Sequence, residues 1–192
     1  MSTGATYMQA TRRQLNARQA ETVSKLVAAA RDELKDVGFT EMTIRTVAAR
    51  AEVAAATAYT YFSSKNHLVA EIFWRTLSER PRLVSRKNSP FARVVDVFND
   101  LADLVAGDPE LSAAVTMALL NEDPDVKHLR ILIGSEINDR IADALGESQA
   151  ADVLDALNLA WNGAMLQVGM GHAAAEAMGD RLARVTRLLM SP

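Results

Sequence analysis

The sequence predicts an all-α protein of about nine helices. Apolar residues recur at spacings of three and four along most of the 192 residues, which places them on one face of a helix. The sustained alternation of apolar and polar residues that indicates strands is nearly absent. Prolines and glycines stand where helices of ordinary length would begin and end.

An apolar stripe on the first predicted helix ends at Gly38, a residue that favours a helix end. The stripe consists of Val23, Leu26, Val27, Ala30, Leu34 and Val37. Two short helices are predicted next. Thr43 caps a helix from Ile44 to about Ala51, the chain breaks at Glu52 and Val53, and a second helix covers about Ala55 to Thr60.

Most helices predicted after residue 80 begin at prolines. Ser89-Pro90, Asp108-Pro109 and Asp123-Pro124 each pair a capping side chain with a residue whose missing N–H costs nothing in the first turn. Pro81 is expected to end or kink the helix before them, and Gly107, Gly146 and Gly171 to end later ones. The stripes of these helices are Phe91, Val94, Val95, Phe98, Leu101 and Val105; Val126, Leu129, Ile133, Ile137 and Ile141; and Leu182, Val185 and Leu189.

The segment 156–175 contains no charge, so a membrane span is one possible interpretation of it. It also holds Asn158, Asn162, Gln167, His172 and three glycines, which a lipid-facing helix disfavours. We interpret it as part of a buried helix, and we expect the last two helices over about 147–170 and 174–190.

Composition excludes several classes of function. Hydrophobic residues make up 49% and charged residues 23% of the chain, and cysteine is absent. Disulfides, cysteine-ligated metals, thiol catalysis and thiol-based sensing of oxidants are therefore excluded. The first twenty residues include Arg12, Arg13 and Arg18 and lack a continuous apolar segment, so no secretion signal is expected and the protein is predicted to be cytoplasmic.

The net charge of −3 hides two halves of opposite sign. Residues 1–90 hold fourteen lysines and arginines against eight acidic residues, a balance of +6, while residues 91–192 hold seven against sixteen, a balance of −9. Such asymmetry suggests that the basic half faces a polyanion, with random scatter as the alternative. An acidic second half would also be discouraged from lying on that polyanion.

The two short helices lie in the basic half and are typical of a helix-turn-helix (HTH). Ile44, Val47, Ala48 and Val53 would hold them at a fixed angle, so that the second helix presents its outer face to a DNA major groove. Threonine and alanine side chains there suit base edges and thymine methyls, and tyrosine hydroxyls suit phosphates. Taken alone, a Tyr-Xaa-Tyr-Phe cluster is more often part of a protein core than a phosphate contact, and Phe62 is expected to pack into the core.

These residues resemble the DNA-binding signature of the tetracycline-repressor (TetR) family. The matching runs are Thr43-Ile-Arg-Thr-Val-Ala-Ala-Arg-Ala-Glu-Val and Thr57-Ala-Tyr-Thr-Tyr-Phe-Ser-Ser-Lys65-Asn-His-Leu68, about a quarter of the chain. The resemblance implies a homodimeric regulator, usually a repressor, that binds a palindromic operator and is released by a small molecule. The DNA contacts that it implies fall on Thr43, Arg45, Ala55, Thr57, Tyr59, Thr60, Tyr61 and Lys65.

Several positions depart from the family pattern: Ala56 replaces a glycine or proline and Ala58 a larger apolar residue, and two further changes carry a cost. Glu52 replaces the usual turn glycine and would cost on the order of 1 kcal/mol at positive φ, while Ala54 replaces a serine cap, a loss of about 1 kcal/mol. Because the alanine-rich recognition helix offers few bidentate base contacts, we expect specificity to depend on Arg45, Thr57, Thr60 and DNA shape.

By resemblance, the second half supplies dimerisation and ligand binding. The last two helices would form a four-helix bundle with their partners, with Gly163, Ala164 and residues 173–175 allowing close approach; an intrachain core is the alternative. An apolar or amphipathic ligand is expected among large apolar residues with two polar anchors. The candidates are Phe98, Leu101, Met117, Leu120, Asn158, Trp161, Asn162 and Met165, each with ordinary core packing as the more common alternative.

These expectations divide the chain into an N-terminal arm (1–16), an HTH domain (17–63), a linker helix (64–81) and a ligand-binding and dimerisation domain (82–192). An enzyme and a helical adaptor remain as alternatives. The three histidines, His67, His128 and His172, are far apart in sequence, and no HExxH motif is present. A metal site of His128 with Asp123 or Asp125 is disfavoured, so no catalytic residue, metal or cofactor is expected.

Overall fold

The computed structural model describes residues 17–84, 86, 87, 89–146 and 151–190. Over these ranges the chain forms nine α-helices, one short 3₁₀ turn and no strand, which confirms the all-α prediction. The predicted N-terminal arm, 1–16, lies outside the described residues, as do residues 147–150. The helices are α1 (Ala17–Glu41), α2 (Ile44–Arg50), α3 (Ala55–Tyr61), α4 (Lys65–Glu79), α5 (Pro90–Ala106), α6 (Pro109–Leu119), α7 (Pro124–Leu145), α8 (Ala151–Gly169) and α9 (Met178–Met190).

Gly38 interrupts α1 as predicted. Its φ of 74° and ψ of 170° are not helical, and the chain resumes for one short turn to Glu41. The stripe before it is buried at Val23, Leu26, Ala30 and Leu34. The prediction for Val37 was wrong: its side chain is 44% exposed, because it lies beside the kink, beyond the last stripe residue that reaches the core.

Proline begins α5, α6 and α7, as the sequence predicts. The Asp108 carboxylate accepts a hydrogen bond from the Leu111 N–H at 3.2 Å, and that of Asp123 accepts one from the Asp125 N–H at 2.9 Å. The expected side-chain cap at Ser89 is not formed, although Ser89 occupies the N-cap position. The fourth helix, α4, ends at Glu79, two residues before Pro81.

One continuous apolar core joins the two halves of the chain. Helix α2 packs on both α1 and α3. Helix α4 packs on α1, α6 and α7, and α1 also packs on α6. Helix α9 packs on α5 and α8. The fourth helix therefore belongs to both halves, and its side chains Leu68, Ile72 and Phe73 are buried.

The last two helices differ from their prediction. Within the single chain α8 buries only Leu157 and Trp161, so the expectation of a buried helix holds for one face and is wrong for the other. Helix α9 begins at Met178 after a 3₁₀ turn at Ala175–Ala177, not at residue 174. Several large apolar side chains on α8, directly after it and on α9 are exposed: Leu159, Leu166, Met170, Val185, Leu188 and Leu189. No helix in the described ranges is sufficiently long and apolar to cross a bilayer.

Candidate functional site

The first short helix, α2, is held at its start by a reciprocal cap. The Thr43 hydroxyl accepts from the Thr46 N–H at 3.1 Å, and the Thr46 hydroxyl accepts from the Thr43 N–H at 3.1 Å. Ile44, Val47 and Ala48 are buried, so the helix is fixed against α1 and α3. This confirms the predicted cap and the apolar face of the first HTH helix.

The turn between α2 and α3 uses an unfavourable residue. Glu52 adopts φ 55°, the left-handed conformation that glycine tolerates best. The Ala51 N–H bonds to the Val47 carbonyl and the Val53 N–H to the Ala48 carbonyl, each at 2.9 Å, and these bonds fix the turn. The expectation of positive φ at Glu52 is therefore confirmed, and α3 begins after Ala54 without a side-chain cap.

The predicted recognition helix, α3, presents most of its side chains to solvent. Only Ala58 is buried, while Thr57, Tyr59 and Thr60 are exposed and Ala55 and Tyr61 are half-buried. The Thr60 hydroxyl donates to the Thr57 carbonyl at 2.6 Å. Phe62 packs into the core as expected. The exposed face therefore carries the hydroxyl and phenol groups that the sequence assigns to DNA contacts.

The two arginines of α2 differ in their partners. Arg50 donates to Glu33 and Asp36, each at 2.7 Å. The pKa of Arg50 is raised above its usual value, and the bond to Asp36 is the main cause. Arg45 is exposed, and no carboxylate among the described residues lies within 4 Å of its guanidinium. Arg45 is therefore the cation of α2 that is available to a ligand.

Lys65, predicted as a phosphate contact, binds the end of α1. Its ammonium donates to the Phe39 carbonyl at 2.8 Å and to the Thr40 carbonyl at 2.9 Å. It also lies 4.7 Å from the centre of the Phe39 ring. One of its three N–H groups remains for another acceptor. Lys65 therefore joins α4 to α1.

The start of α4 is bound to the start of α7. The Ser64 hydroxyl accepts from the His67 N–H at 3.1 Å, capping α4, and donates to the Asp123 carboxylate at 2.7 Å. The Ser63 hydroxyl donates to the Asp125 carboxylate at 2.7 Å. The pKa of Asp123 is lower than usual, and the hydrogen bond from Ser64 is the main cause. These serines lie between the recognition helix and α4, so α7 contacts the HTH at its exit.

The end of α4 is also bound to α7. Arg140 of α7 is 4% exposed and donates to the Leu77 and Arg80 carbonyls at 2.9 and 2.7 Å. It also pairs with Glu136 at 2.9 Å. Sequence reasoning missed Arg140, although an arginine three residues after Ile137 on an apolar face was a signal. Helix α7 therefore clamps α4 at both ends.

A cleft of about 440 Å³ opens between α4, α6, α7 and α8. Of the eight predicted ligand residues, four line it: Leu120, Trp161, Asn162 and Met165. Phe98 and Leu101 are fully buried, and Phe98 stacks on Trp161 with ring centres 6.3 Å apart. Met117 is exposed, and Asn158 bonds to Asn138 at 3.0 Å. The lining residues that sequence reasoning missed are Phe73, Thr116, Leu119, Arg130, Ile133, Gly134, Ile137 and Leu166.

Some of the opposite charges of the two halves form ion pairs with one another. Cations of the first half bind carboxylates of the second half at 2.7 to 2.9 Å: Arg31 with Asp108, Arg80 with Asp100, Arg82 with Glu136 and Asp143, and Lys87 with Asp96. Each exposed pair contributes up to about 1 kcal/mol. The basic half therefore faces its own acidic half as well as any external polyanion.

Comparison with known proteins supports the assignment of the first half. Residues 26–72 match the profile of the bacterial regulatory proteins of the tetR family. An uncharacterised HTH-type transcriptional regulator of Mycobacterium tuberculosis is 42% identical over 179 residues, which cover 92% of this chain and 84% of that protein.

Solved structures share the whole fold. A TetR transcriptional regulator from Rhodococcus sp. RHA1 superimposes with a TM-score of 0.70 at 21% identity, covering 91% of this chain and 98% of the other. Thermus thermophilus FadR, a TetR-family repressor in complex with lauroyl-CoA, gives 0.66 at 18% identity, covering 88% and 93%. The capped, tightly turned helix pair and the 42% identical relative lead to one conclusion: this chain belongs to the TetR family of DNA-binding, HTH-type transcriptional regulators.

Proposed function

We propose that the chain is a cytoplasmic, ligand-responsive repressor that binds a palindromic operator as a homodimer and dissociates when an apolar or amphipathic small molecule binds. The observation that carries this proposal is the double clamp of α4. Helix α7 lines the cleft and is bonded to both ends of α4. A ligand that moves α7 therefore moves the helix that follows the recognition helix.

DNA recognition is assigned to the exposed faces of α2 and α3. Arg45 reaches a phosphate or a guanine edge, Thr57 and Thr60 reach base edges, and Tyr59 and Tyr61 bind phosphates. Thr43 and Ala55 lie at the starts of the two helices and complete the surface. Lys65 keeps one N–H for a phosphate while its other two hold α1.

Dimerisation is assigned to α8 and α9. Their exposed apolar side chains form a surface that a single chain leaves in water. A Cβ atom at Gly163 would meet no heavy atom within 4 Å, so this part of α8 is open to a partner helix. A two-fold interface here sets the distance between the two recognition helices, which must match half-sites about one DNA turn apart.

Release requires that the ligand bind the DNA-free conformation more tightly than the DNA-bound one. The cleft adjoins Phe73 of α4 and Ile133 and Ile137 of α7. Because Phe73 lies between the two clamped ends of α4, filling the cleft would act on α4 and α7 together. The rotation of α4 would then change the separation of the recognition helices.

The test begins with selection of an operator from random or genomic fragments by the purified full chain. Binding of the selected duplex is then followed by fluorescence anisotropy at several salt concentrations. The variant Arg45→Ala with Tyr59→Ala is expected to lose specific binding and to lower the salt dependence. Lys127→Ala serves as the control, because it removes an exposed cation of α7, outside the surfaces assigned to DNA binding and to dimerisation.

Unchanged discrimination between operator and random DNA in the double variant would overturn the assignment of the recognition surface. Absence of any specific duplex from the selection would instead favour a dimeric adaptor. A ligand with equal affinity for free and DNA-bound protein would overturn release by that ligand.

A further inference from the structure

The cleft has a charged end and an apolar end. Arg130, Ile133, Gly134 and Ile137 all line it, and their spacing of three or four residues places them along one face of α7. Ile133 and Ile137 are buried, while Arg130 is exposed. Seven residues of helix separate Arg130 from Ile137, a rise of about 10 Å. Polarity therefore changes along the length of the cleft.

Among the described residues, Arg130 is the only charged one that lines the cleft. Its guanidinium donates to the Asn121 carbonyl at 2.6 Å, and no carboxylate of the described residues lies within 4 Å of it. Arg140, on the same helix, is paired with Glu136. Four of the five N–H donors of Arg130 therefore remain for a ligand.

We propose that the effector is an amphipathic anion: a long apolar chain that lies among Phe73, Ile137 and Trp161, with an anionic group bound by Arg130. The inference rests on the proposed effector role of the cleft and specifies its ligand. The volume of about 440 Å³ is within the range of small-molecule sites, about 300 to 1,000 Å³. The shared chemistry is an acyl chain with a terminal anion, either the carboxylate of a free fatty acid or a phosphate of an acyl thioester.

Gly134 offers a way to block the cleft without disturbing the fold. A Cβ atom at Gly134 would meet no heavy atom within 4 Å, and the residue lines the cleft. Gly134→Phe places a ring in this space, whereas Gly134→Ala leaves most of it open. The alanine variant is the matched control, since it changes the same backbone position.

The experiment measures direct binding of three probes to the full chain by titration calorimetry: dodecanoate, dodecan-1-ol and lauroyl-CoA. Dodecanoate is expected to bind about tenfold more tightly than the alcohol. Arg130→Gln is expected to remove this difference. Lys127→Gln is expected to retain it, because Lys127 is exposed on α7 and does not line the cleft. Gly134→Phe is expected to abolish binding of all probes that Gly134→Ala still binds.

The two anionic probes distinguish the source of the charge. If Arg130→Gln weakens the binding of dodecanoate, the partner of Arg130 is the carboxylate. If it weakens the binding of lauroyl-CoA alone, the partner is a phosphate. Either result supports the proposal. Equal affinity for alcohol and anions, or a preference retained in Arg130→Gln, overturns anion recognition while the cleft remains an effector site. Failure of every probe to bind overturns the inference, and operator binding, measured separately, then decides whether the repressor proposal stands.

Discussion

The Ser64 hydroxyl and the Asp123 carboxylate are 2.7 Å apart and join two segments separated by 59 residues in sequence. Each also caps its own helix: Ser64 accepts from the His67 N–H and Asp123 from the Asp125 N–H. One contact therefore fixes the starts of α4 and α7 relative to each other. It lies directly after the recognition helix, at the junction through which a ligand signal would pass.

Asp123→Ala is expected to lower the free energy of unfolding by about 2 kcal/mol, because it removes a helix cap and a hydrogen bond to a charged group. Urea denaturation provides the measurement. Ser63→Ala, which removes the exposed hydroxyl bonds to Asp125 and to the His67 Nδ1 atom, is expected to cost less than about 1 kcal/mol. An equal loss of unfolding free energy in both variants would show that the contact between Ser64 and Asp123 stabilises the protein no more than the exposed bonds of Ser63 do.

Asp123 also predicts a pH dependence. Its pKa is lowered from the ordinary value of 3.8, so it contributes stability above the unfolded pKa that is lost as the pH falls through the lower folded pKa. Below about pH 4 the stability of the wild type is therefore expected to fall more steeply than that of Asp123→Asn. Parallel stability curves between pH 5 and pH 2 would contradict this prediction.

Arg140→Met is expected to destabilise the protein by about 3 kcal/mol. The substitution leaves the Leu77 and Arg80 carbonyls without a donor and leaves Glu136 without its buried partner. Arg130→Met, on the exposed surface of the same helix, is expected to change stability by less than about 0.5 kcal/mol. The midpoint of denaturation by urea separates the two variants, and a stable Arg140→Met would show that the end of α4 does not depend on this clamp.

Two substitutions in the HTH are expected to stabilise it. Glu52→Gly relieves the positive φ of 55° and should raise stability by about 1 kcal/mol. Ala54→Ser supplies the missing cap of α3 and should add about 1 kcal/mol. Thermal unfolding followed by circular dichroism measures both gains. Glu52→Ala is the control, because alanine gains nothing at positive φ; an equal gain there would indicate a charge effect.

Gly163→Leu tests the proposed dimer surface. A Cβ atom at this position would meet no heavy atom of the described residues within 4 Å, so the fold is expected to persist while the dimer dissociates into monomers. Light scattering after gel filtration measures the mass. Gly169→Ala is the contrasting variant, because its Cβ would lie 2.5 Å from Thr116 and should weaken folding itself. A Gly163→Leu protein that remains dimeric at micromolar concentration would place the interface elsewhere.

The DNA-binding half was predictable in detail because its determinants are local. The reciprocal cap of Thr43 with Thr46 and the positive φ of Glu52 both depend on residues within a few positions of one another. Helix periods and caps act over this range, so the sequence alone specified the bounds of α2 and α3 to within one residue.

The second half was less predictable because its determinants are distant in sequence. Apolar spacing shows that Leu157, Trp161 and Met165 share one face of α8. It does not show that Trp161 and Met165 line a cleft, whereas Leu157 is fully buried. Val185 and Leu189 have helical spacing in the same way, yet a single chain leaves them exposed. Burial depends on what packs opposite, and the sequence pattern of one helix carries no information about its neighbour.

The opposite charges of the two halves illustrate the same division. Sequence alone established the fold class, the HTH and the contrast of +6 against −9. The folded chain decided what those charges do: Arg31 pairs with Asp108, 77 residues away, while Arg45 and Arg130 keep no acidic partner among the described residues. A charge is counted from the sequence, but its partner depends on which surfaces the packed helices bring within a few ångströms.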